Sequence, residues 1–320
     1  MRPRRKPWGK IVLAVVLAYL AFLILIPIIA WGRVEKVPFE PTAGERPAES
    51  AGKNYLIVGS DRRDDLTPKE RAELGTGSAE GQRTDTIMLL HVPDNELPPT
   101  LVSLPRDSYV EIPGEGESKI NASFSWGGPE LLTATVENAT GLRVDEYVEI
   151  GFSGFVGLTN AVGGVEICLE DALQDDKAHI DLPKGCQTLK GKDALGFVRA
   201  RYALADGDLG RVENQQKYMA ALIDKAASPA TALNPIRYSS LGFSAADSLV
   251  VGEGTGIFDM LRFALAMRSV SGGNGNSLTV PIGGNVGSSL AWDSDDASAL
   301  FDALRTDQAV PPSIVREQSE

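Results

Sequence analysis

Asn54-Tyr55-Leu56-Ile57-Val58-Gly59 is a short, partly β-branched apolar run that stops at a glycine. Its length and composition read as a buried strand rather than a helix. Similar runs follow at 86–92 and 100–104. Consecutive strands usually neighbour one another, so the three predict an up-down-up meander. Working outward, residues 147–150 and 165–169 read as strands and 277–281 as extended. Residues 129–139, 153–161, 209–227, 258–270 and 295–304 carry apolar positions at helical spacing. Pro129 suits a first helical turn and Asp208 an N-cap. Strands interleaved with helices predict an α/β domain whose helices cover a sheet.

Ahead of this domain, residues 11–30 read IVLAVVLAYLAFLILIPIIA without a charge. Twenty such residues match the length of a membrane-spanning helix. The run is too long for a signal-peptide core, and no small-x-small cleavage site follows it. Arg2, Arg4, Arg5, Lys6 and Lys10 precede or border it, which keeps the amino terminus in the cytoplasm. The expected organisation is a basic cytoplasmic terminus (1–10), a transmembrane helix (11–31), a Pro-, Glu- and Ala-rich stalk (32–52), a folded domain (53–310) and a disordered tail (311–320). All but the first two parts then lie outside the cell membrane. The net charge is −12, and with +5 in the first ten residues the remainder carries −17. A domain this acidic lacks the basic footprint of a nucleic-acid binder.

Cys168 and Cys186 are the only cysteines. In an exported domain they are expected to form a disulfide. His91 and His179 supply no zinc-ligand spacing.

The meander brings three charged residues to one sheet edge. Asp61 follows the first strand, Asp85 precedes the second, and Arg106 follows the third. Arg63 and Arg83 belong to the loop closing that edge, and ligands of open α/β sheets commonly sit at strand ends. Further on, Arg199 and Arg201 share a face if Phe197-Val198-Arg199-Ala200-Arg201 is extended. Gly207-Asp208-Leu209-Gly210-Arg211 opens a helix on which Arg211 and Gln215 share a face, and its first turn favours an anion. Arginine grips phosphate with a planar, two-pronged fork. One arginine alone would read as solvated surface; the set points to a phosphorylated ligand. Two carboxylates among arginines suit Mg²⁺, which takes one or two carboxylates plus phosphate oxygens and water. Asp61 and Asp85 are the candidate ligands, with ion pairs to Arg63 and Arg83 as the alternative. No motif of covalent catalysis occurs.

Several motifs occur in order: Gly59-Ser60-Asp61-x-Arg63, Arg83-Thr84-Asp85-Thr86, Leu104-Pro105-Arg106-Asp107, Lys119-Ile120-Asn121-Ala122, Gly127-Gly128-Pro129-Glu130, Gly163-Gly164-Val165-Glu166, Phe197-Val198-Arg199-Ala200-Arg201 and Gly207-Asp208-x-x-Arg211. Over about residues 53–227 the chain resembles the LytR-CpsA-Psr family of cell-wall glycopolymer transferases. The resemblance implies a three-layer α/β/α domain with a central mixed sheet. It implies Mg²⁺-dependent transfer of a glycopolymer from a polyprenyl-pyrophosphate carrier to a muramic acid hydroxyl of peptidoglycan, releasing polyprenyl phosphate. Arg63, Arg83, Arg106, Arg199, Arg201, Arg211 and Gln215 would hold the pyrophosphate. Asp61 and Asp85 would hold the metal, and with Arg83 and Arg106 they form the implied catalytic set. The lipid would occupy an apolar tunnel between sheet and helices. One departure is Asn214, where many members carry an arginine; Lys217 is a possible replacement. Asp107 and Asp208 are both candidate bases. The glycopolymer stays open among arabinogalactan, teichoic acid and capsule. A hydrolase using the same site and a non-catalytic carrier-binding module are the competing readings.

Overall fold

The computed structural model of the chain describes residues 8–61, 69, 84–200 and 208–317, with backbone alone for 208–213 and 316–317. The first element is α1 (Trp8–Trp31), whose mean hydropathy reaches 3.0, long and apolar enough to cross a bilayer. Then come β1 (Glu35–Val37), β2 (Lys53–Ser60), β3 (Thr84–Val92), β4 (Thr100–Leu104), a hairpin of β5 (Tyr109–Ile112) and β6 (Gly116–Lys119), and α2 (Ile120–Thr140). β7 (Glu146–Ile150) and α3 (Phe152–Ala161) lead into a small lobe of β8 (Val165–Leu169), β9 (Leu173–Asp175), β10 (Ile180–Leu182) and β11 (Gly185–Leu189). Next are α4 (Gly191–Arg199), α5 (Asp208–Ala226), α6 (Pro229–Ala232), α7 (Pro235–Ser248), β12 (Leu249–Gly252) and α8 (Ile257–Ser271). The chain closes with β13 (Asn276–Thr279), a hairpin of β14 (Ile282–Val286) and β15 (Ser289–Trp292), α9 (Ser294–Arg305) and α10 (Pro312–Glu317).

Seven strands form one mixed sheet in the order β1-β12-β7-β2-β3-β4-β13. The β2–β3–β4 meander is antiparallel, as the sequence predicts, and β7 lies parallel to β2. Side chains alternate across each strand. Leu56, Val58, Ile87 and Leu89 pack on one face against Leu132 and Val136 of α2 and Leu300 and Leu304 of α9. Tyr55, Ile57, Met88 and Leu90 pack on the other against Ala266 and Met267 of α8 and Ile223 of α5. The expected three layers are present, and both faces of β2 are buried, which is why its sequence is a continuous apolar run. Phe155, Ile167, Phe197 and Tyr218 form a further cluster joining α3, α4 and α5 to the β8–β11 lobe. The disulfide links Cys168 and Cys186, directly opposite each other on β8 and β11.

Four expectations are corrected. The segment 32–52 is not a free stalk. β1 joins the sheet edge parallel to β12, Phe39 enters the core, and Arg46 grips the buried Glu137 at 2.6 Å. The tail from 311 is not disordered through its length: α10 forms and buries Ile314 and packs Val315 on the core. The segment around Arg199 is not extended, because Arg199 is the last residue of α4. The helix expected at 129–139 is the second half of α2, which begins at Ile120 and kinks at Gly127–Gly128.

Candidate functional site

The edge of the sheet where β2, β4 and β7 end and β3 begins carries the candidate site. Ser60 pairs with Thr84, so Asp61 and Asp85 stand at the ends of adjacent strands. Gly59 is required at this crossing, because a Cβ there would lie 2.9 Å from the Thr86 Cβ. Arg106 leaves the end of β4 and returns over the edge. Its Nη1 pairs with Asp85 Oδ1 at 2.5 Å and its Nε with Asp107 Oδ2 at 3.3 Å. Asp107 Oδ1 also receives Lys119 Nζ at 2.6 Å. The predicted edge cluster of Asp85 and Arg106 is thus one bonded network.

A cavity of about 310 Å³ opens under this edge, between the sheet and helices α3, α4 and α5. Ile57, Met88, Phe155, Leu195 and Met219 make its apolar body. Asp85, Thr86, Arg106, Arg199 and Gln215 line it as polar or charged groups. Gln215 is nearly buried on α5. It accepts from Thr86 Oγ1 at 3.0 Å and donates to the Val198 carbonyl at 3.2 Å, tying α5 to β3 and α4. The Arg199 guanidinium stacks over the Phe152 ring at 5.3 Å from its centroid, a contact that orients a cation without consuming all its donors. Beneath the edge, buried Glu149 accepts from Ser60 Oγ at 2.6 Å and Tyr147 Oη at 2.7 Å.

Arg106 also bounds a second, wider cleft of about 440 Å³ with Asp107, Lys119, Asn121, Ser125 and Trp126. Trp126 stands half exposed there, immediately before the Gly127–Gly128 kink. Arg106 is common to the linings of both cavities.

Of the predicted residues, Asp85, Arg106, Arg199 and Gln215 line the first cavity, and Asp61 stands at its edge of the sheet. Arg63, Arg83 and Arg201, the loop 64–82 apart from residue 69, and the side chains of Asp208 and Arg211 lie outside the described residues. Lys217, the candidate substitute for the arginine position held by Asn214, donates its Nζ to the Cys168 carbonyl at 3.1 Å. Sequence reasoning missed Asp175 and Lys177, which line the cavity from the β9–β10 turn. Asp175 caps that turn through the backbone N–H groups of Lys177 and Ala178 at 2.9 and 3.1 Å. No linear motif marks them; the Asp175-Asp176-Lys177 turn reads only as a polar loop.

The LytR_cpsA_psr family model matches residues 33–285. The chain is 47% identical over 271 residues to "Probable cell wall biosynthesis protein LcpB" of Corynebacterium glutamicum, covering 83% of this chain and 64% of the relative. It is 34% identical over 221 residues to the polyisoprenyl-teichoic acid–peptidoglycan teichoic acid transferase TagU of Enterococcus faecalis, covering 68% and 67%. The chain spans 64% of LcpB and 51% of LcpA, also from C. glutamicum. Among solved structures, the LytR-Csp2A-Psr enzyme from Actinomyces oris shares the fold, with a TM-score of 0.66 at 20% identity over 85% of this chain and 96% of that one. The ordered motifs, the fold and the family match over most of the chain's length agree: the chain belongs to the LytR-CpsA-Psr family.

Proposed function

We propose that the protein is a membrane-anchored phosphotransferase acting outside the cytoplasm. It moves a glycopolymer from a polyprenyl-pyrophosphate carrier onto a muramic acid hydroxyl of peptidoglycan. One observation carries this reading: an apolar cavity whose edge holds Arg106, Arg199 and Gln215 suits an amphiphile with a phosphate head and a hydrocarbon tail. Relatives named for cell-wall biosynthesis and for teichoic acid transfer to peptidoglycan support glycopolymer transfer in general.

In the reaction, the acceptor hydroxyl oxygen bonds to the phosphorus that bears the sugar. The bond from that phosphorus to the bridging oxygen breaks, and polyprenyl phosphate leaves with the electron pair. We assign the hydroxyl proton to Asp107, because its carboxylate lines the second cleft beside Arg106. Phosphoryl transfer depends mainly on positioning and charge neutralisation. Arg106 and Arg199 hold the pyrophosphate, and Gln215 fixes the α4–α5 wall around it. Asp61 and Asp85 fit Mg²⁺: they are hard oxygen donors at adjacent strand ends. Mg²⁺ takes one or two protein carboxylates and completes its shell with phosphate oxygens and water. Bound there, Mg²⁺ would neutralise charge growing on the phosphate oxygens.

The cleft with Trp126 favours transfer over hydrolysis, since it offers a second substrate its own way to Arg106. The test is the full chain with a polyprenyl-pyrophosphate glycan and a peptidoglycan oligosaccharide. A phosphodiester-linked product is expected. Phosphate release that ignores the acceptor would replace the transferase with a hydrolase, and binding without turnover would leave a carrier-binding module.

A further inference from the structure

α1 does not stand apart from the domain. Tyr19 Oη donates to the Ala232 carbonyl, and Tyr238 Oη to the Leu23 carbonyl at 2.7 Å. Ile26 lies against Gly242, and Arg33 pairs with Asp247 at 2.6 Å. The contacts advance together, so α1 and α7 run parallel. α7 ends at the site edge, because Leu249 of β12 pairs with Ile150 at the end of β7. The start of α7, and α6 before it, therefore lie toward the opposite edge. α8 crosses that same edge. Its Asp259 meets Lys53 at the start of β2 at 2.9 Å, and its Arg262 donates to the Val92 carbonyl at the end of β3 at 3.1 Å.

Past α6, only residues 8–18 of α1 project alone. At 1.5 Å per residue they cover about 16 Å, roughly half of the ~30 Å hydrocarbon thickness. The preceding residues Arg2, Arg4, Arg5 and Lys6 are basic and do not lengthen the apolar stretch. The missing thickness must be taken up beside the domain. The surface there is apolar. Phe258 is 80% exposed, Ile236 78% and Leu233 72%, and Leu261 and Leu265 are exposed as well. Outside α1, these are five of the eight exposed large apolar side chains among the described residues. Phe258, Leu261 and Leu265 recur on one stripe of α8, bordering a groove of about 350 Å³.

We infer that this end of the domain, formed by α6, the start of α7 and α8, is sunk into the outer leaflet of the membrane that α1 crosses. Interfacial segments of this kind bury by about 5–10 Å, which takes up roughly half of the ~14 Å shortfall, and local thinning of the bilayer takes up the rest. The inference rests on reading α1 as an anchor. It holds the candidate site away from the lipid surface by the length of β2, about 26 Å for eight residues, facing the cell wall.

The test uses the full chain in phospholipid vesicles. Single cysteines carrying an environment-sensitive fluorophore replace Ile236, Phe258, Leu261, Ala14 and Glu117 in turn; the native pair is disulfide-bonded and stays unlabelled. Lipids spin-labelled near the headgroup should quench Ile236→Cys, Phe258→Cys and Leu261→Cys. Lipids labelled at mid-chain should quench Ala14→Cys. Glu117→Cys, on the exposed β5–β6 hairpin, should stay unquenched. Quenching at Ala14 with none at the α7 and α8 positions overturns the inference and leaves the anchor standing. No quenching at Ala14 removes both. Labels on α8 that are shielded from water yet untouched by any spin-labelled lipid would show a protein contact instead, which also overturns it.

Discussion

Arg106 is the residue common to the two cavities, and its loss should separate binding from folding. Its guanidinium is anchored by Asp85 and Asp107, yet it lines both cavities. A charge-assisted contact contributes about 1.5–3 kcal/mol, so Arg106→Ala should weaken lipid-pyrophosphate binding roughly ten- to a hundredfold. Arg106→Lys should recover only part of this, since lysine lacks the planar fork. A titration of each variant with a short-chain polyprenyl pyrophosphate measures it, and wild-type affinity in Arg106→Ala would refute the assignment. Gly59 makes a complementary case. A methyl added at Gly59 meets the Thr86 Cβ at 2.9 Å, and Thr86 holds Gln215. Gly59→Ala should cost about 1–3 kcal/mol by overpacking, visible as a lower unfolding midpoint. At this scale the sequence was most legible where strands end. Asp61, Asp85 and Arg106 could be placed on one edge from three apolar runs alone. Asp175 and Phe152 could not, because they reach the cavity through the folding of the β8–β11 lobe and the packing of α3.

The elements were legible where a hydrophobic period ran unbroken, as in β2–β4, α5, α8 and α9. They were not where the segment gains its order from a neighbour. Proline-rich 32–52 reads as a linker, but β1 is ordered by its pairing with β12 and Phe39 by the core. α10 is too short to announce itself, and Ile314 holds it to the core. The paired strands β8 and β11 carry a covalent tie. A disulfide closing a loop of this length stabilises by about 3 kcal/mol in the chain-entropy model. Replacing both Cys168 and Cys186 with serine should lower the denaturation midpoint accordingly, with the largest gain in hydrogen exchange along β8 and β11. Unchanged exchange there would show that the lobe holds without it. At the opposite edge, Lys53 ties β2 to β7 and α8 through Glu146 at 3.1 Å and Asp259 at 2.9 Å. Burial alone would lower the Lys53 ammonium. Its bonds to Asp259 and Glu146 outweigh that and hold it above its ordinary value. A raised folded value means stability fully present below the unfolded value near 10.4 and lost as the pH climbs beyond it. The stability difference between wild type and Lys53→Met should stay flat from about pH 6 to 9 and shrink above about pH 10. A difference that changes across neutral pH would contradict it.

At the scale of the whole molecule, the proposed reaction needs two functions kept apart, holding the donor and stabilising the charge that develops on it. In the proposed reaction the cavity between sheet and helices, with Arg106 at its edge, would hold the lipid phosphate in its ground state. Asp61 and Asp85, at the adjacent strand ends, would hold the proposed divalent ion. Only interactions stronger in the transition state than in the ground state accelerate the step. Removing a carboxylate should therefore lower turnover more than it lowers donor binding. Asp85→Asn keeps a hydrogen-bond acceptor for Arg106 while removing the charge, so the arginine stays oriented and the comparison is fair. Asp61→Asn makes the same change where no bond to Arg106 is at stake. In both variants, and in wild type treated with a chelator, product formation should fall while donor affinity stays within a few-fold of the untreated protein. Mg²⁺ added back should restore wild type and leave the variants impaired. A chelated enzyme that forms product at full rate would remove the metal from the mechanism. A loss of donor affinity as large as the loss of rate would make Asp61 and Asp85 determinants of binding alone.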